Sequence, residues 1–308
     1  MSQAFAIELA RYGPARHYAP VGRVEAQSYC SRLARTHYEN FSVASVLLPR
    51  RLVRHFHNVY AYCRWADDLA DEAGGGKHAL ELLRWWRGEL LRCYAGEACH
   101  PVMVALQDTI ARFRIPRGPF LDLLFAFEQD QLVKRYQGYE QLLGYCKHSA
   151  NPVGRLVLYL FETHDEAKGA WSDQICTALQ LTNFWQDVAR DLDIGRVYLP
   201  VEDLRAFGYG EEDLHARRFT PEFRELMCFE VERARDLFYR GMPLLDELPE
   251  EYRPTLELFV TGGLRILRKI ESIGYNVWLR RPVLSKWEKV ALIGTAAWNR
   301  VRTLRPWP

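Results

Sequence analysis

Apolar residues recur at three- and four-residue steps along most of this chain, the spacing of one buried face of an α-helix. That period predicts helices near 24–36, 50–72, 78–95, 100–113, 117–134, 139–164, 170–193, 220–246, 253–279 and 284–302. Alternating β-branched runs bounded by Asn-Gly or Asp-Gly are absent, so no hairpin is expected. Breakers fall where helices should begin or end: Pro49, the run Gly74-Gly75-Gly76, Pro116 and Gly118, and the start Thr220-Pro221-Glu222. Asn151-Pro152 sits inside an apolar-periodic stretch and should break or kink it. The expectation is an all-α protein.

Composition narrows the class. The chain has 308 residues, of which 48% are hydrophobic, enough for a large core without disulfide or metal staples. Length alone allows two domains. No Pro/Ser/Gly linker or fixed-period repeat divides the sequence, so a single domain over 1–308, with its core at about 29–298, is expected. Forty-one basic residues against 39 acidic ones give no electrostatic case for nucleic acid. The seven cysteines (30, 63, 93, 99, 146, 176 and 228) form no C-x-x-C pair, which argues against zinc ribbons and dithiol redox sites. Scattered thiols without a recognisable secretory signal suggest the cytoplasm. No stretch reaches the roughly 18–20 apolar residues of a membrane span.

Two acidic stretches carry the candidate chemistry. In Cys63-Arg64-Trp65-Ala66-Asp67-Asp68-Leu69-Ala70-Asp71-Glu72, Asp67 and Asp71 share one helix face. Like charges four apart repel, and a hard divalent cation would offset that cost; a solvated acidic face is the alternative. In Gln180-Leu181-Thr182-Asn183-Phe184-Trp185-Gln186-Asp187-Val188-Ala189-Arg190-Asp191, the residues Asn183, Asp187 and Asp191 form one stripe with apolar neighbours. Carboxylates on a largely buried helix are costly unless paired or metal-bound. Together the stretches suggest two facing acidic helices holding Mg²⁺ and, through it, a diphosphate. Asp68 and Glu72 lie about 100° round the first helix and are expected to support the stripe or to line the helix surface. Arg64, nearly in line with Asp67, either grips a diphosphate oxygen or pairs with Asp68.

These motifs resemble the squalene/phytoene synthase family from about Tyr29 to Trp298. The likeness rests on Asp67-x-x-x-Asp71 with Asn183-x-x-x-Asp187-x-x-x-Asp191. Their flanks add to it: His37-Tyr38-Glu39-Asn40-Phe41 with Leu47-Leu48-Pro49, Tyr60-Ala61-Tyr62-Cys63-Arg64, Tyr145, Arg196-Val197-Tyr198-Leu199-Pro200 and Ser285-Lys286-Trp287. The chain departs from the family pattern at Asn40, where Ser is common. It departs again at Ala150-Asn151-Pro152-Val153-Gly154, where Ala-Gly-x-Val-Gly is common, and at Gln186, where Arg is common. This combination looks like the bacterial HpnC-type hydroxysqualene synthase branch.

The resemblance implies an isoprenoid-synthase fold, with helices around an apolar cavity that 15 Phe, 16 Tyr and nine Trp could help line. It implies conversion of presqualene diphosphate and water to hydroxysqualene and diphosphate, in hopanoid or squalene biosynthesis. Two or three Mg²⁺ ions are expected on Asp67, Asp71, Asn183, Asp187 and Asp191, and NADPH is not. His37, Arg64, Gln180, Arg196 and Tyr198 are implied contacts of the diphosphate or its metals, with Lys134 and Arg135 as weaker candidates. Phe41 and the implied catalytic Tyr145 are expected to face the substrate, where an aromatic face stabilises a carbocation, with core packing as the alternative for Phe41. Asn151 with Pro152 is expected to position the attacking water. A presqualene diphosphate synthase and a hydroxysqualene reductase would be partners in sequence. Contact with the cytoplasmic membrane face is expected near Trp278, Trp287 and Trp298. The competing enzyme is a presqualene diphosphate, dehydrosqualene or phytoene synthase condensing two allylic diphosphates. A reading of another class is a non-catalytic assembly factor with the same fold.

Overall fold

The computed structural model describes residues 3–16, 19, 21–36 and 47–303, with side chains through 295. Among the described residues there is no β-strand, only a single bridge between Arg135 and Val197. The chain groups into two compact units. The first is drawn from Met1–Ser42, Leu48–Val133 and Leu156–Thr163, the second from Val43–Leu47, Lys134–Arg155 and His164–Pro308.

Six helices build the first unit: α1 (Gln3–Tyr12), α2 (Arg23–Thr36), α3 (Arg50–Asp71), α4 (Gly76–Tyr94), α5 (Pro101–Phe113) and α6 (Gly118–Asp130). Helix α3 is central and packs against α2, α4, α5 and α6. Its apolar face is anchored by Trp65, which stacks on Trp86 at 5.3 Å between ring centroids, while Tyr62 stacks on Trp86 from beside it at 5.8 Å. His100 meets Trp65 and Trp86 edge-on at 4.5 and 4.7 Å. Burial pushes its pKa well below the usual histidine value, so the ring is neutral and its Nδ1 accepts the Val102 N–H, capping α5. The buried Asn58 amide is matched: its Nδ2 lies 3.0 Å from Ala105 O, 2.9 Å from Thr109 Oγ1 and 3.1 Å from Gln27 Oε1. The break before α4 is the triple glycine, with φ of +91°, +71° and +61°, a backbone only glycine adopts cheaply.

The second unit contains α7 (Tyr139–Ser149), the start of α8 (Asn151–Leu160), α9 (Glu166–Asp193), α10 (Val201–Ala206), α11 (Glu211–His215), α12 (Pro221–Gly241), α13 (Pro243–Glu247), α14 (Arg253–Ser272) and α15 (Lys286–Thr303). Helix α9 is its long central element, packed against α7, α12, α13 and α14. The stretch expected as one helix over 139–164 is broken at Ala150, and Pro152 enters the first turn of the new helix. The stretch expected over 220–246 is likewise divided, by Pro243. No described helix is long and apolar enough to cross a membrane.

Candidate active site

The two acidic motifs belong to different units, and each has its own local construction. On α3, Asp71 is exposed and Asp67 is half-buried. Asp68, one step round the helix, is buried. Arg64 Nε donates to Asp68 Oδ2 at 3.1 Å and its Nη2 to Asp68 Oδ1, while Nη1 reaches Asp67 Oδ2 at 3.2 Å. Glu72 lies 3.5 Å from the same guanidinium. Arg64 thus gathers three carboxylates, and its bidentate partner is Asp68, so in this structure it makes the salt bridge of the two roles open to it. Burial raises the Asp68 carboxyl to about 6, against the pull of Arg64.

On α9 the stripe is graded. Asn183 is exposed, Asp187 and Asp191 are half-buried, and the intervening Phe184, Trp185, Gln186 and Val188 are buried. Gln180 lies one turn earlier and is also half-buried. Burial pushes Asp191 up to about 7, and neighbouring Asp187 adds to the rise against the opposing charges of Arg196, Arg281 and Arg190. Arg281, from the segment between α14 and α15, holds both oxygens of Asp187, with Nη2 to Oδ2 at 2.8 Å. The same Nη2 donates to Gln186 Oε1 at 3.3 Å, and Gln186 Nε2 donates to the Pro282 carbonyl. Arg281 escaped the sequence reading; the only hint was a pair of arginines just ahead of a helix start.

The remaining candidates fall close to α9 or outside the described residues. Arg196 donates its backbone N–H to Asp191 O at 2.8 Å, and the loop that follows is pinned by Val197 N–H to Lys134 O at 2.9 Å. That pin places Tyr198 flat on Phe184, with centroids 3.7 Å apart and planes within 8°. Tyr145 is buried beside both, 6.1 Å from Tyr198 and 6.2 Å from Phe184. Arg135 pairs with Glu211, its Nη1 at 2.7 Å from Oε2. Asn151 is buried at the start of α8, and its Oδ1 accepts from Thr177 Oγ1 at 2.9 Å. His37, Asn40 and Phe41 lie outside the described residues. Of the three tryptophans expected at a membrane, Trp287 is exposed, Trp278 packs on Phe223 at 5.0 Å, and the Trp298 side chain lies outside the described residues.

A sequence model of the squalene/phytoene synthase family matches residues 34–288. The chain belongs to that family. It is 36% identical over 265 residues to the phytoene synthase of Thermus thermophilus, covering 86% of this chain and 90% of that protein. Among solved structures it is similar to squalene synthase HpnC from Alicyclobacillus acidocaldarius, at 44% identity and a TM-score of 0.80, covering 84% of this chain and 97% of that one. A dehydrosqualene synthase, solved in complex with a ligand, has the same fold, with 24% identity, a TM-score of 0.80 and coverage of 91% and 98%. Members of this family act on prenyl diphosphates as prenyltransferase-type enzymes.

Proposed function

We propose that this family member is a Mg²⁺-dependent hydroxysqualene synthase, converting presqualene diphosphate and water to hydroxysqualene and diphosphate. The 44% identity to squalene synthase HpnC supports that branch over the phytoene synthases. The metal reading rests on one observation in this chain: Asn183, Asp187 and Asp191 set hard oxygen donors at four-residue steps along α9 beside the buried Phe184, Trp185 and Val188. The donor set fits the ion. It offers carboxylate and amide oxygens only, as Mg²⁺ prefers. No group of three or more His, Cys, Asp or Glu side chains forms a ready cage among the described residues. Asn183 Oδ1 and the oxygens of the diphosphate would therefore have to complete the coordination.

Bound Mg²⁺ would neutralise the departing diphosphate and so ease cleavage of its C–O bond. On α9 the residues that would hold an ion are Asp187 and Asp191, and on α3, taken by itself, they are Asp67 and Asp71. Arg196 and Arg281 add positive charge close to the α9 donors, where negative charge develops as the bond breaks. The Tyr198–Phe184 stack gives α9 an aromatic wall that excludes water from its apolar side. Asn151, fixed by Thr177, would orient the water that captures the carbocation, and the proton shed by that water would pass to the released diphosphate.

Purified protein given presqualene diphosphate and Mg²⁺ should release diphosphate and an alcohol, hydroxysqualene. Asp191→Asn should lower that rate by about 10²–10³-fold. Asn151→Ala should shift the ratio of alcohol to other products. Conversion of two allylic diphosphates, with presqualene diphosphate left untouched, would instead assign the condensing reaction of the relatives.

A further inference from the structure

We infer that residues Leu279–Val290 form a docking surface for an anionic lipid bilayer. The inference is independent of which prenyl diphosphate is the substrate. It starts from how α15 begins. Ser285 and Glu288 cap each other: the Glu288 N–H donates to Ser285 Oγ at 3.2 Å, and the Ser285 N–H donates to Glu288 Oε2 at 2.7 Å, the reciprocal capping box. Glu288 Oε2 is also 2.9 Å from Lys269 Nζ on α14. Two turns of α15 are thereby fixed in rotation. Glu288 faces α14, and Leu292, on the same side, is buried with Leu47 and Leu258, with Leu284 packed against them.

The opposite face follows from helix geometry. At about 100° per residue, Lys286, Trp287, Lys289 and Val290 fall within an arc of about 160° centred opposite Glu288. Trp287 is 82% exposed and Val290 58% exposed. The segment leading into the helix continues the pattern. Its inward groups are Trp278 on Phe223, Arg281 on Asp187 and Pro282 on Gln186. Its outward groups are Leu279 (82% exposed), Arg280 and Val283 (48% exposed). Four large apolar side chains and three cations are therefore solvent-exposed within one twelve-residue segment. None of Arg280, Lys286 and Lys289 is paired with a carboxylate among the described residues, and the single acid of the segment, Glu288, is engaged by Lys269 and the Ser285 N–H.

An exposed tryptophan flanked by lysines, on a helix whose other face is anchored in protein, has the composition of an interfacial segment. The indole settles at headgroup depth and the cations meet anionic headgroups. An acidic protein partner would match the cations but gives no reason for an 82% exposed leucine and tryptophan. A bilayer matches both.

The test is flotation of the full-length protein with vesicles of phosphatidylcholine alone and with about one quarter phosphatidylglycerol, at low and high salt. The anionic vesicles should recover the protein, and recovery should fall with ionic strength. Lys286→Ala with Lys289→Ala should weaken partition about 25-fold, about fivefold per lysine, and Trp287→Ser by at least about tenfold. Lys147→Glu, an exposed lysine on α7, should change nothing. Circular dichroism checks that the variants fold, and quenching of wild-type fluorescence by brominated lipid, lost in Trp287→Phe, reports insertion without relying on any unstable variant. Equal recovery of wild type and the double-lysine variant would overturn the inference. So would equal recovery by both vesicle types at every salt concentration. A lipid-independent dimer that Trp287→Ser abolishes, with no vesicle recovering the protein, would assign the patch to a second copy of the chain.

Discussion

Glu230 is the buried acid with the clearest consequence for stability. It is fully buried on α12, beside Asp203 and Arg233. Arg233 reaches Asp203 at 2.9 Å and Glu230 at 3.5 Å, while its guanidinium covers the Tyr139 ring at 3.9 Å. Burial holds the Glu230 carboxyl well above the ordinary carboxylate range, against the attraction of Arg233, so the folded protein keeps it protonated. Its contribution to stability is then complete below about pH 4, the unfolded value, and is lost as pH rises towards the folded value. Glutamine keeps the shape and stays neutral. Glu230→Gln should match wild type near pH 4 and exceed it at pH 8 by about 1–2 kcal/mol, read from melting temperatures across that range. Parallel curves would sink the idea. None of this was legible in the sequence, where Glu230 reads as one charge among many on an amphipathic helix. The acidic stripes were legible because four-residue spacing is a local property. Arg281 was not, because its partner Asp187 is 94 residues away and only tertiary structure brings them together.

At the scale of elements, helix periodicity located most of the long helices to within a few residues, since each buries one continuous apolar face. The errors fall where local chemistry overrides the period. Pro243 cuts a helix whose apolar pattern runs on through it, whereas the break at Asn151-Pro152 is expected from the proline itself. Helix α14 stops at Ser272 rather than 279 because Gly274 and Tyr275 take φ of +64° and +67°, a left-handed turn that sends the chain back towards α9. The short helices α1, α10 and α11 lack enough turns to show a period. Close packing of α9 on α12 was also invisible beforehand. A Cβ on Gly241 would lie 2.5 Å from Ile175 Cγ1 and 2.8 Å from the Trp171 carbonyl oxygen. Backbone cannot yield there as a flexible side chain can. Gly241→Ala should therefore cost about 1–3 kcal/mol and lower the melting temperature by several degrees in a thermal scan. An unchanged melting point would mean that the two helices separate more easily than their packing suggests.

For the molecule as a whole, ligand binding and stability are linked. Any ion held by the folded protein and not by the unfolded chain raises stability by mass action, by about 2.7 kcal/mol at one hundred times its dissociation constant. Mg²⁺ with inorganic diphosphate should thus raise the melting temperature by several degrees, whereas Mg²⁺ with Asp187→Asn should not. A wild-type melting point indifferent to both would remove the metal reading without any appeal to turnover. The segment from Leu279 to Pro282 gives this linkage a second arm. Its outer residues are those inferred to meet lipid, and its inner residues, Arg281 and Pro282, grip Asp187 and Gln186. Whatever displaces Arg281 from Asp187 works on the same dozen residues that would carry the lipid-bound surface. Thermodynamic reciprocity then requires that if vesicles change the affinity for Mg²⁺ by some factor, Mg²⁺ changes the affinity for vesicles by that same factor. The headgroup chemistry of the bilayer and the ion occupancy of α9 would be two readings of one equilibrium.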